Sequence, residues 1–130
     1  LKKDSYTAAE YKALIEASKK EASDRRIQRI HNQFTDWLTC NGLAFVREYQ
    51  FDKANKRKWR NDYYLPELNL AIEVEGGVWS NGRHTRGRGY LNDMDKYNAV
   101  TMAGIRLLRI DTDRLNSAYF RGLIIEMKNK

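Results

Sequence analysis

Apolar residues recur at helical spacing over the first third of the chain and at strand spacing through its middle. A Thr7/Glu10 capping box opens a first helix whose stripe of Tyr11, Leu14 and Ile15 runs to about Ala22. Ser23 or Asp24 caps a second helix, with Ile27, Ile30, Phe34, Trp37 and Leu38 on one face and Gly42 as its stop. Residues 43–51 read as a strand and DKANKRK as a basic, mobile loop. Further strands at 59–65 and 70–75 are joined by Pro66-Glu67-Leu68-Asn69. A Gly/Arg loop, GGVWSNGRHTRGRG, leads to a helix from about Tyr90 to Ala103, ended by Gly104. IRLLRI, residues 105–110, is a short strand, and Phe120, Leu123, Ile124 and Met127 stripe a last helix. The order is ααβββαβα. Antiparallel strands followed by a helical crossover predict an α/β fold, a mixed β-sheet flanked by helices.

The middle strands carry acids where a core is expected. In WRNDYYLPELNLAIEVEGG, residues 59–77, a turn at 66–69 pairs Leu65 with Leu70 and sets Asp62 opposite Glu73, with Glu75 on the same face. That face carries Arg60, Asp62, Tyr64, Ala71, Glu73 and Glu75; the other carries Asn61, Tyr63, Leu65, Leu70, Ile72 and Val74. A slip of one residue would drive the acids into the core, so the hydrophobic pattern itself argues for this register. Neighbouring carboxylates repel one another, which protonation or a divalent cation relieves. Oxygen ligands without a Cys or His cluster favour Mg²⁺ or Mn²⁺ over zinc. Such an ion activates water and offsets charge on a phosphate. The plainer reading pairs Asp62, Glu73 and Glu75 with Arg60, Lys58 or Arg106.

Charge narrows the partner. Lys and Arg number 24 against 17 Asp and Glu, a net charge of +7 that favours a polyanion such as DNA or RNA. No stretch approaches the roughly 20 apolar residues of a membrane span. The one cysteine, Cys40, excludes an internal disulfide and a cysteine-built zinc site. The expected setting is intracellular, in the cytoplasm.

Taken with the loop, helix and strand that follow the acids, residues 59–110 resemble the PD-(D/E)XK nuclease superfamily, particularly the very-short-patch-repair endonucleases and their small relatives. Asp62 matches the family's Asp, with Asn61 where Pro often stands, and Glu73-Val74-Glu75 matches its acidic-x-Lys. Gly76-Gly77-Val78-Trp79 and His84 look like the family's Asp-Gly-x-x-Trp-His loop. Asp93, Lys96 and Asn98 on the next helix and Gly-Ile-Arg-Leu-Leu-Arg at 104–109 continue the similarity, which covers about half of the chain. It implies a single nuclease-like domain over 1–130, with N-terminal helices at 7–41 and a restriction-endonuclease-like core at 43–130. It further implies Mg²⁺-dependent hydrolysis of DNA, with Mn²⁺ able to substitute. Asp62, Glu73 and a backbone carbonyl near Val74 would hold the metal. Glu75 stands where Lys is usual, so either Glu75 or Lys96 would orient the attacking water, and His84 with its neighbouring arginines would steady the phosphate.

Arg83, His84, Arg86 and Arg88 lie among glycines that let backbone approach a phosphate. Lys53, Lys56, Arg57, Lys58 and Arg60 form a second basic set. Either set is equally a solvated surface. Trp79 would stack on or wedge into DNA, and Trp59 fits core or contact. His31, Phe34 and Trp37 read as packing. An Asp93–Lys96 ion pair along one helix face competes with a catalytic Lys96. Two functional rivals follow: a structure-selective junction resolvase on the same core, which requires a homodimer, and a non-catalytic nucleic-acid-binding protein with a decayed site.

Overall fold

The computed structural model describes residues 5–76 and 87–130. Ala8–Cys40 form one uninterrupted helix, α1, where two were expected. The segment holds neither Gly nor Pro. Asp24, which with Ser23 was an expected cap, instead accepts a hydrogen bond from Lys20 Nζ at 2.8 Å, one turn back along the same helix. The element order is therefore αβββαβα, and the N-terminal part of the domain is a single helix. Its ends agree with the sequence. Thr7 Oγ1 accepts the Glu10 N–H at 3.1 Å, and Gly42 adopts φ +69°, a conformation that favours glycine after a helix.

Four strands follow, β1 (Val46–Tyr49), β2 (Asn61–Leu65), β3 (Leu70–Glu75) and β4 (Arg106–Asp111), in the spatial order β1-β2-β3-β4. The first three are antiparallel neighbours. β4 runs parallel to β3 and is reached through the crossover helix α2 (Gly87–Met102). The last helix, α3, is Ala118–Lys128. Among the described residues the protein is thus an α/β fold with a four-stranded mixed sheet and three α-helices. β1 is shorter than the 43–51 stretch that reads as a strand. The DKANKRK segment is built rather than loose: Lys53–Asn55 form a 3-10 turn, Asn55 Nδ2 donates to Asp52 Oδ1 at 2.8 Å, and Gln50 Nε2 donates to the Arg57 carbonyl at 2.8 Å.

Phe34 and Leu38 of α1 and Phe120 and Ile124 of α3 pack with Tyr63, Leu65, Leu70, Ile72 and Ile110 into one apolar cluster. The alternate β3 positions, Ala71 and Glu73, are also buried, while Asp62 and Glu75 on the same face are half-buried and Arg60 at its edge is exposed. Asn69, in the left-handed conformation at φ +48°, fastens the β2–β3 turn to β4. Its Nδ2 donates to the Gly104 carbonyl at 2.8 Å, its own carbonyl accepts the Arg106 N–H at 3.0 Å, and its Oδ1 accepts the Tyr64 hydroxyl at 2.9 Å. Among the described residues no helix is long and apolar enough to cross a membrane.

Candidate active site

The β2–β3 pairing runs Leu65↔Leu70, Tyr64↔Ala71, Tyr63↔Ile72, the register expected from the turn. One step further, the Asp62 carboxylate takes a backbone donor: the Val74 N–H reaches Asp62 Oδ2 at 2.7 Å. Glu73 is 5% exposed, and two groups converge on its Oε1. Lys96 Nζ approaches from α2 at 2.5 Å, and Asn61 Nδ2 donates at 3.1 Å. Burial pushes the Glu73 carboxyl up from 4.5 to about 7; Lys96 and Asn61 pull against that rise, and Asp62 adds to it. A buried carboxylate with one ammonium and one amide is a site poised between charged and neutral forms.

Glu75 belongs to a different arrangement. Its Oε1 accepts from the Tyr97 hydroxyl at 2.9 Å and from Arg109 Nε at 2.9 Å, while the Arg109 guanidinium lies 4.3 Å from the Tyr97 ring centre. Burial, then the Glu75 charge, raise the Tyr97 hydroxyl above its ordinary value, so it remains a donor to Glu75 at neutral pH. The partners of Glu73 and Glu75 are therefore Lys96 and Arg109, not the expected Arg60, Lys58 or Arg106. Arg106 instead donates Nε to the Leu68 carbonyl at 3.2 Å. Tyr97 and Arg109 escaped the sequence reading. Tyr97 lies four residues after Asp93, the helix position the sequence reading already singled out, and that spacing could have pointed to it; Arg109 needs the parallel register Glu73↔Arg109.

Asp62 and Glu73 are hard oxygen donors on adjacent strands. Asn61, fully buried, adds an Oδ1 that has no hydrogen-bond partner, a lone pair that burial leaves unsatisfied. Among the described residues no group of three or more His, Cys, Asp or Glu side chains could by itself hold a metal. The donor set suits an ion of the Mg²⁺ type, which is commonly bound by one or two carboxylates with water and phosphate completing its shell. Lys96 is the competitor for Glu73 in that arrangement.

Trp79, Arg83, His84 and Arg86 lie outside the described residues. Arg88 is exposed on the first turn of α2, and Lys56, Arg57, Lys58 and Arg60 are exposed around the entry to β2. His31 is a packing residue: its Nδ1 hydrogen-bonds the Tyr63 hydroxyl, its ring stacks on Tyr63, and burial lowers its pKa. No protein-family model matches the chain, and no curated protein or solved structure matches it either.

Proposed function

We propose that the chain is a metal-dependent endonuclease that hydrolyses phosphodiester bonds in DNA on a restriction-endonuclease-like core. The observation that carries this reading is the convergence of Asp62, the buried Glu73 and Lys96 at one sheet face of a protein with net charge +7. Asp62 and Glu73 would hold Mg²⁺, or Mn²⁺ in its place, with the Val74 backbone and the Asn61 oxygen beside them. The ion would supply the charge that activates water and offsets negative charge gained at phosphorus. Lys96, which meets Glu73 from α2, would be the group for orienting water and contacting the phosphate. Glu75, held through Oε1 by Tyr97 and Arg109, is better suited to fixing the end of β3 than to accepting a proton. The basic residues around Lys56–Arg60 and Arg88 would receive the DNA backbone.

Nicking of supercoiled plasmid with Mg²⁺, Mn²⁺ or EDTA tests this, comparing wild type with Asp62→Asn and Glu73→Gln. Metal-dependent cutting that falls about 100-fold or more in both variants, with their folding intact, is the expected result. One observation favours a second reading, a non-catalytic DNA-binding protein: the Lys96 ammonium itself balances the Glu73 carboxylate. That reading predicts steeply salt-dependent binding that ignores Mg²⁺ and no cutting of plasmid or branched DNA.

A further inference from the structure

A cleft of about 630 Å³ opens between the segment leading into β2 and α2, lined by Asp52, Asn55, Arg57 and Trp59 on one side and Asp95 and Asn98 on the other. Its size lies within the ~300–1,000 Å³ of sites that take small organic groups. Trp59 precedes Asp62 by three residues and Asp95 immediately precedes Lys96, so the cleft is built from the same two segments as the candidate active site.

The lining decides what fits. The Arg57 guanidinium lies 4.9 Å from the Trp59 ring centre, and together they form a stacking wall of the kind used for unpaired bases. The Asn55–Asp52 and Gln50–Arg57 hydrogen bonds brace that wall before any ligand arrives. Two carboxylates make the cleft a poor receptacle for a phosphate. A carboxylate only accepts hydrogen bonds, so Asp95 calls for a group rich in N–H donors, and the Asn98 amide one turn along α2 both donates and accepts. Guanine presents two adjacent donors, N1–H and the N2 amino group, which a carboxylate accepts together. Adenine and cytosine offer an amino group alone, and thymine a single N–H.

We propose that this cleft binds one unpaired guanine of a nucleic-acid strand, stacked on Trp59 and hydrogen-bonded to Asp95, with Asn98 beside it. The placement of that base next to the cleaved phosphate rests on the endonuclease reading; the binding of the base does not. The test is therefore made in EDTA, by fluorescence anisotropy with labelled single strands of thymine and the same strands carrying one central guanine, adenine or cytosine. The guanine strand is expected to bind wild type about tenfold more tightly than the all-thymine strand. Asp95→Asn, at an exposed position, and Trp59→Leu are each expected to bring that ratio close to one. The ratio is the readout, because the Asn variant also loses a negative charge and gains general affinity. Equal binding of all four strands by wild type, or a guanine preference that survives both variants, overturns the proposal. Guanine preference in a protein that cuts no DNA with any metal leaves this proposal standing and removes the endonuclease reading.

Discussion

Glu73 and Lys96 show how much one buried pair can govern. The folded state holds the Glu73 proton more tightly than the unfolded chain does, since burial raises the carboxyl from 4.5 to about 7. Its contribution to stability is therefore complete below about pH 4.5 and is lost as pH rises through about 7. Thermal melts in EDTA across that window are expected to show wild type losing stability with rising pH and Glu73→Gln lacking that component. Lys96→Met removes the cation that holds the shift in check. At pH 8 it is expected to cost about 3–5 kcal/mol, the toll of a buried charge left without its partner, and much less at pH 4.5. Mg²⁺ added at pH 8 would raise the melting temperature of wild type and leave that of Glu73→Gln unmoved. The register from Leu65↔Leu70 to Tyr63↔Ile72 could be read from the chain because a period of two and a four-residue turn fix it, but Asn61, expected on the opposite face from the acids, reaches Glu73 where the ladder ends. The partner of Lys96 could not be read, since an Asp93 contact within α2 and a Glu73 contact across to the sheet have the same sequence signature. Helix-to-sheet distance alone separates them.

The division of α1 is the clearest case of a local signal overridden at the level of the element. Ser23 and Asp24 are cap-type residues, yet a residue of that kind caps only where the backbone has already left the helix. With no Gly or Pro nearby, the Lys20–Asp24 contact keeps the side chain on the helix surface. The buried residues of α1 are Phe34 and Leu38, near its C-terminal end. Removal of residues 1–22 is accordingly expected to move the melting temperature by only a few degrees, whereas Phe34→Ala is expected to cost about 3–5 kcal/mol in denaturant titrations. Strand boundaries were legible to within a few residues. The partial ordering of the basic segment was not, because its bracing comes from side-chain contacts to the backbone at Arg57 and within Asp52–Asn55 that no periodicity announces.

For the molecule as a whole, the net charge of +7 sets the reach of any nucleic-acid contact. If six or more phosphates are engaged, affinity for duplex DNA is expected to fall about 1,000-fold or more between 50 and 200 mM salt; a flat dependence would remove the basic surface from the binding account. The composition made this legible, while the sequence alone could not say that of the three acids Glu73 is the buried one, met there by Lys96 of α2. One further property follows from the way α1 is attached. No residue from Ala8 to Arg25 is buried, and Arg26 forms an ion pair with Asp113 in the turn after β4. That turn also touches β3, through Thr112 Oγ1 and the Glu75 carbonyl at 3.4 Å. The stretch beyond the anchor is about 27 Å long, so a swing of about 10° there would carry Ala8 through roughly 5 Å. The half of the helix before Arg26 thus stands as an arm clear of the core, and a small change of angle at its base becomes a displacement of several ångströms at its tip.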